Sequence, residues 1–178
     1  MLQFRPATTA DYLFIARGFH TAMLMEDTPD EEIARFANIV CKRDDVLYCA
    51  NNTTIALLDG IPVGMVTAYD GRFYHDMAQR TFAIVKEYMG IEFPGMEEEA
   101  VPGEYYIDSL AVWPEYRGQG IGRALLEKAI NNGKAKGLTV TLAVDPVNDN
   151  ARHLYRSLGF CDDGELFIFG HTYDKMKI

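Results

Sequence analysis

The sequence has 178 residues, 48% of them hydrophobic, and a net charge of −9, which is enough apolar material for the core of one domain spanning residues 1–178. An acidic chain is a poor partner for nucleic acid, because phosphates require a basic surface. The sequence has no apolar stretch of the roughly 20 residues that a membrane span needs and no signal-peptide layout at its start, so we expect a cytoplasmic protein with no membrane partner.

Neither a disulfide framework nor a metal site is indicated. The three cysteines contain no Cys-x-x-Cys pair, and the four histidines lack metal-ligand spacing. We therefore expect free thiols and no metal. The charge is unevenly distributed, since residues 117–156 carry seven basic side chains against three acidic ones. Such a basic island suits a small polyanion, although basic residues along helices are often only solvated.

The first part of the chain predicts a short strand followed by two helices and a hairpin. The strand lies near Gln3–Arg5, one helix starts at about Asp11, and the second covers Asp30–Val40. Asp59-Gly60 separates two apolar runs, and this dipeptide predicts a β-hairpin because both central positions of its turn require positive φ. The two strands of that hairpin are residues 53–58 and 61–68.

Residues 70–104 predict an excursion that contains a helix. Met77, Phe82, Val85 and Met89 recur at near-helical spacing, and Gly90 can close the helix. The residues that follow, up to position 103, are rich in Pro, Gly and Glu and predict a loop.

The second part of the chain alternates strands with helices. The predicted strands are residues 105–112 and 138–144, with one or two last strands around 166–169 and 176–178. The predicted helices cover residues 120–136 and about 149–159. This alternation predicts an α/β fold with a mixed central sheet of about six or seven strands flanked by helices.

The most informative segment is Arg117-Gly-Gln-Gly-Ile-Gly, between a predicted strand and a predicted helix. Gly118, Gly120 and Gly122 leave backbone N–H groups uncovered where the start of a helix favours an anion such as a pyrophosphate. The Lys and Ser/Thr of a Walker loop are absent, and so is the full glycine spacing of a dinucleotide fold. Taken alone, the glycines also suit a simple tight turn.

Together with a second motif, this segment resembles the GNAT superfamily of acyl-CoA-dependent N-acetyltransferases. Residues 117–122 match its Arg/Gln-x-x-Gly-x-Gly/Ala motif, preceded at the expected distance by Leu110-Ala-Val and Pro114. Residues 148–160 match its Asn-x-x-Ala-x-x-Leu-Tyr-x-x-x-Gly-Phe motif. The resemblance is close over residues 105–160, whereas the 70–104 excursion is longer than the usual connection in the family.

The resemblance implies that acetyl-CoA, as co-substrate, lies in a cleft between the strands ending at Val112 and Val144. Backbone groups of Leu110 and Val112 would pair with the pantetheine arm, and the glycine-rich amides would hold the pyrophosphate. Arg123, Arg152 or Arg156 would meet the ribose phosphate. The implied cofactor-binding residues are Leu110, Ala111, Val112, Arg117, Gly118, Gln119, Gly120, Ile121, Gly122, Arg123, Asn148 and Tyr155. Asn148 is also suited to cap the following helix.

The same resemblance implies direct attack by an amine, with Tyr155 as the acid that protonates the departing thiolate. A phenol with a pKa of about 10 suits that role, although Tyr155 would equally suit packing under the cofactor. Asp108 and Glu104 are the candidate bases, and even spacing puts both on one strand face if no bulge intervenes. We prefer Asp108; a structural role for either carboxylate stays open.

The acceptor, a small-molecule or peptide amine, is not identified by the sequence. Residues 70–104 carry eight acidic side chains against three basic ones, which favours a cationic amine or a polyamine, although Glu97–Glu99 also suit a solvated turn. Members of the family are often dimers, which implies a homodimer. A non-catalytic acyl-CoA sensor is the alternative function, and a nucleotide-phosphate enzyme is disfavoured by the missing Lys and Ser/Thr.

Overall fold

The computed structural model describes residues 1–25 and 27–178, and its described part is built on one seven-stranded sheet with the order β1-β2-β3-β4-β5-β7-β6. Only β4 and β5 pair in parallel; the other neighbours are antiparallel. The strands are β1 Leu2–Pro6, β2 Thr53–Leu58, β3 Ile61–Asp70, β4 Glu104–Val112, β5 Thr139–Val144, β6 Cys161–Ile168 and β7 His171–Lys177. The predicted mixed sheet is confirmed.

Among the described residues, five α-helices flank the sheet: α1 Tyr12–Ala22, α2 Asp30–Phe36, α3 Tyr74–Met89, α4 Ile121–Ala135 and α5 Asp149–Ser157. The predicted helix over residues 30–40 is two segments, because α2 continues into a π-helical turn, Ala37–Cys41. Gly90 closes α3 in the left-handed conformation, with φ +70°. At the predicted hairpin, Asp59 and Gly60 have φ of +51° and +84°, as its turn requires.

The last two strands are longer than the sequence predicted. They form a hairpin paired from Cys161 opposite Lys177 to Ile168 opposite His171. Most side chains of β6 are exposed. Its sequence therefore lacks the alternation of apolar and polar residues that identifies a half-buried strand. Edge pairing with β7, rather than burial, places this segment in the sheet.

The sheet separates two apolar cores. One lies against α1, α2 and α3 and includes Met65, Tyr69 and Tyr106. The other lies against α4 and includes Leu125 and Leu142. Residues of β4 alternate between these cores on either side of a bulge at Asp108, with Tyr106 and Ala111 in the first core and Ile107 and Leu110 in the second. The strand therefore offers side chains to both faces of the sheet.

Candidate active site

A cleft opens where β4 and β5 separate. Glu104–Ile107 pair with Thr139–Leu142, and the parallel pairing stops there, although β4 runs on to Val112 and β5 to Val144. The final part of β5 pairs instead with β7 on its other side. Because the strands are parallel, their diverging halves are both carboxyl ends, where ligands of open α/β sheets bind. The cleft lies where the family resemblance implied it.

The edge of β4 that faces the cleft carries backbone groups without a strand partner. Trp113 N donates to Val63 O at 3.0 Å, and Ala111 lies opposite Met65 on β3. Alternate residues of an antiparallel ladder turn their backbone groups toward the partner strand. Leu110 and Val112 therefore turn theirs toward the cleft. The Val112 carbonyl accepts a hydrogen bond from Arg117 Nε at 3.0 Å. The N–H of Val112 and the backbone N–H and carbonyl of Leu110 are therefore the groups that can pair with an extended ligand.

The glycine-rich segment leads into α4 beside this edge. Gly118 and Gly120 have φ of +75° and +78°, and a Cβ added at either would meet nothing within 4 Å. A Cβ at Gly122 would lie 3.7 Å from Val112 and 3.9 Å from Leu110, so this helix start sits directly against the cleft strand. The first amides of a helix have no partner within it and favour an anion. The segment thus presents backbone N–H groups that no side chain covers, at the open end of the cleft.

Tyr155 and Asn148 belong to the helix after β5. Tyr155 is half-buried, its ring centroid lies 5.9 Å from that of Phe160, and burial raises the pKa of its phenol. Asn148 Oδ1 accepts from Ala151 N at 3.1 Å, which confirms that Asn148 caps α5. A phenol kept protonated by burial can still donate its proton.

The arginines of the basic island are paired with neighbouring groups. Arg123 contacts the hydroxyl of Ser157 and lies 3.6 Å from Glu127. Arg152 forms an ion pair with Asp174, and Arg156 lies 3.1 Å from Asp162. These arginines connect α4, α5 and the last hairpin. To bind the ribose phosphate of CoA, they would have to give up these partners.

Asp108 occupies a β-bulge at the point where the cleft begins. Thr67 lies opposite Ser109 and Ala68 opposite Ile107, so Asp108 has no residue opposite it on β3. Bulges re-aim a side chain and are common near active sites. Tyr69 Oη donates to Asp108 Oδ2 at 2.6 Å, whereas the enclosed Oδ1 has no hydrogen-bond partner within the described part of the chain. Burial raises the pKa of Asp108 to about 6, against the opposing effects of the hydroxyl groups of Tyr69 and Ser109.

A second carboxyl group, Glu99, is buried on the same face of the sheet. It comes from the loop after α3 and is only 4% exposed. Tyr106 Oη donates to its Oε2 at 2.9 Å, and Tyr74 Oη to its Oε1 at 3.4 Å. Burial, and then the charge of Asp108, raise the pKa of Glu99 to about 8. The sequence analysis missed this residue because a run of three glutamates suggests solvent, and only the apolar Ala100-Val101 after the run pointed the other way.

The two carboxyl groups titrate as a pair. Burial raises the pKa of both groups, and the charge of Asp108 raises the pKa of Glu99 further, so the pair carries one negative charge near neutral pH. A buried base that is ionised at pH 7 beside a protonated neighbour is an arrangement found at acid–base sites. The site therefore holds a base ready to accept one proton.

Sequence comparison places this geometry in a family. The sequence model of the acetyltransferase (GNAT) family matches residues 15–160, most of the chain. The chain belongs to the GNAT acetyltransferase family. The resemblance found in the two sequence motifs is confirmed.

Relatives and solved structures agree with this assignment. The N-alpha-acetyltransferase RimI of Mycobacterium tuberculosis is 38% identical over 86 residues, which cover 48% of this chain and 51% of that protein. A crystal structure of an acetyltransferase is 27% identical with a TM-score of 0.76, covering 98% of this chain and 97% of the other. An N-acetyltransferase from Staphylococcus aureus Mu50 shares the fold with a TM-score of 0.81 at 22% identity, over 99% and 100% of the two chains. The chain spans about half the length of this curated relative, or less for others.

The GNAT assignment implies CoA, and the residues present fit it. The bare amides at Gly118–Gly122 suit the pyrophosphate, and the cleft edge at Leu110 and Val112 suits the pantetheine amides. In the described ranges, no group of three His, Cys, Asp or Glu side chains is arranged to hold a metal ion. Likewise, none of the helices described is long and apolar enough to cross a membrane.

Glu104, the other candidate base, lies at the closed end of the cleft. It shares a strand face with Asp108, since the bulge comes only at Asp108, but the two positions are about 13 Å apart along the strand. Its carboxylate lies 2.7 Å from Lys175 Nζ and accepts from Val101 N at 3.2 Å. The structure does not bring Glu104 to the point where the strands part.

Proposed function

We propose that this GNAT protein transfers an acetyl group from acetyl-CoA to a small-molecule or peptide amine, with Asp108 as the base and Tyr155 as the acid. The observation that carries this proposal is Asp108 Oδ1, a buried oxygen without a hydrogen-bond partner in the described structure, at the bulge where the cofactor cleft opens. A buried acceptor without a partner is costly, and an amine bound at this point would supply the missing donor.

Acetyl-CoA, when bound, supplies the acetyl group as a thioester. The open backbone groups of Leu110 and Val112 hold the pantetheine arm in line with the strand, and the amides at the start of α4 hold the pyrophosphate. Asp108 takes a proton from the attacking amine, whose nitrogen bonds to the acetyl carbon as the carbon–sulfur bond breaks. Tyr155 then gives its proton to the sulfur. Fixing the reactants between two rigid strands contributes by orientation.

Glu99 has a positioning role in this mechanism. A protonated Glu99 adds no second charge to the buried site, so that Asp108 can stay ionised near neutral pH. Tyr69 directs a hydroxyl to Asp108 Oδ2 at 2.6 Å, which fixes the rotamer of the carboxylate and leaves Oδ1 for the amine. The relative named an N-alpha-acetyltransferase supports α-amines as one acceptor class.

The test is release of free CoA from acetyl-CoA in the presence of a panel of primary amines, paired with calorimetry of CoA binding. We expect amine-dependent release by the wild type, and at least about a hundredfold less by Asp108→Asn, with CoA affinity kept. Tight CoA binding without release for any amine would refute the proposal and favour the sensor function.

A further inference from the structure

A cavity of about 360 Å³ lies between α1, α3 and the turn that joins β6 to β7. This volume is within the range of roughly 300–1,000 Å³ typical of small-molecule sites. Its wall is mostly aromatic rings and thioethers, with Phe19, Phe36, Phe82, Phe93, Phe169 and Met89 among the lining residues. No Asp, Glu, Lys or Arg of the described chain lines it.

Two of the four polar side chains on the wall, Thr81 and His20, form hydrogen bonds with backbone groups. Thr81 Oγ1 donates to Met77 O at 2.7 Å and accepts from Leu47 N at 3.0 Å. His20 Nδ1 bonds to Ala16 O at 2.8 Å, and since a carbonyl only accepts, that nitrogen carries the proton. A charged ligand group in the cavity would lose its water without gaining a partner charge, whereas an apolar group loses nothing.

The cavity is related to the reacting carboxyl groups through Tyr48. Tyr48 lines the cavity and belongs to the same apolar core as Tyr69 and Tyr106. Tyr69 donates to Asp108 and Tyr106 to Glu99. The cavity and the base therefore lie on the same face of the sheet and share one core.

The 70–104 excursion forms part of the cavity wall and is fixed in place. Glu97 N donates to Phe167 O at 3.0 Å, and Glu97 Oε2 accepts from Phe167 N at 2.6 Å. The ring centroids of Phe93 and Phe169 lie 5.2 Å apart in an edge-to-face arrangement. Glu97 and Glu99 are thus both bonded to protein groups, and the first of them joins the excursion to the β6–β7 hairpin.

We propose that this cavity is the acceptor subsite and receives an aromatic or branched aliphatic group carried by the amine substrate. The inference rests on the proposed acetyl transfer and narrows its acceptor class. It replaces the expectation of a polyamine, because the acidic excursion presents apolar side chains, and no carboxylates, to the cavity.

The experiment compares amines that share one reacting group and differ in the side chain. Phenylalaninamide and leucinamide carry the apolar group, glycinamide lacks it, and putrescine represents the polyamine class. We measure kcat/KM for acetyl transfer and, separately, the binding of each amine to the CoA-loaded protein by NMR shift perturbation. Burial of a Phe or Leu side chain gives an expected preference of roughly 10- to 100-fold over glycinamide.

Two variants assign that preference to the cavity. Val85→Phe fills it, and Ile91→Glu places a charge at its rim, where Ile91 is 42% exposed. Ile61→Glu is the matched control, since Ile61 is 55% exposed on β3 and is not among the lining residues. We expect Ile91→Glu and Val85→Phe to remove the preference for phenylalaninamide, and Ile61→Glu to keep it. Ile91→Glu keeps the test valid if Val85→Phe does not fold.

The two readouts separate this inference from the proposed function. Binding of phenylalaninamide that Ile91→Glu abolishes supports the subsite even if no acetyl group is transferred; that result would overturn the transferase proposal alone. Efficient acetylation of glycinamide or putrescine, with no preference for phenylalaninamide and no effect of Ile91→Glu, would overturn the subsite and leave the transferase standing. Absence of phenylalaninamide binding to the wild type would also overturn the subsite.

Discussion

Replacing Glu99 with Gln should make the protein more stable than the wild type at alkaline pH. Folding raises the pKa of Glu99 from 4.5 to about 8. Between these two values the folded chain holds a proton that the unfolded chain has released, so the stability of the wild type falls as the pH rises. Glutamine has no proton to lose, and the variant avoids that loss.

The size of the effect follows from the shift. At 1.36 kcal/mol per pKa unit, the wild type loses about 4 kcal/mol more than the variant between pH 5 and pH 9. Gln must also replace the bonds from Tyr106 at 2.9 Å and Tyr74 at 3.4 Å, and a worse fit there costs about 1 kcal/mol for each bond. That cost is largely independent of pH. The growth of the difference with pH is therefore the diagnostic quantity.

Denaturant unfolding at pH 5, 7 and 9 measures this difference. The single tryptophan, Trp113, packs 4.7 Å from Phe14 and serves as the fluorescent reporter. Glu87→Gln is the matched control, because Glu87 lies exposed on α3, and its difference from the wild type should not vary with pH. If the difference in free energy of unfolding between Glu99→Gln and the wild type stays constant from pH 5 to pH 9, Glu99 does not hold its proton. The conclusion that Asp108 and Glu99 together carry one negative charge would then be wrong.

Three further predictions concern the cleft. Gly120→Glu should abolish CoA binding in calorimetry. The control Gly137→Glu, with a similar φ of +70° at the other end of α4, should bind CoA like the wild type. If Gly120→Glu also binds CoA with wild-type affinity, the pyrophosphate lies elsewhere. Tyr155→Phe should lower kcat by about a hundredfold and leave the Kd for CoA unchanged, and an unchanged kcat would make Tyr155 a packing residue. Wild-type kcat/KM should rise with pH through about 6, the pKa of Asp108. Glu104→Gln should keep that rise, and Asp108→Asn should lose it. The reverse result would make Glu104 the base.

Much of the fold was predictable because its signals are local. The turn at Asp59-Gly60 and the helix end at Gly90 each depend on positive φ, and the glycine-rich start of α4 depends on absent side chains. The cap at Asn148 spans only three residues. Local steric preferences of this kind are present in any short window of sequence, so the elements that bound the cofactor cleft could be located within a few residues.

The last hairpin was predicted poorly because its strands are held by pairing and not by burial. Cys161–Ile168 is largely exposed, so the alternation that identifies a half-buried strand is weak. The identity of its neighbour, β7, is decided by a register that no local pattern contains.

The carboxyl pair shows where the sequence alone is insufficient. The sequence by itself determined that a carboxylate, Asp108, sits on the strand before the glycine-rich segment. Only the tertiary structure decided that a bulge turns it toward Tyr69 and that Glu99, which follows two glutamates whose side chains lie at the surface, is buried against Tyr106. The apolar cavity is lined by residues of the same core that holds Tyr69 and Tyr106. Burial and the proximity of two like charges raise the pKa of a carboxyl group, and both depend on residues brought together by folding.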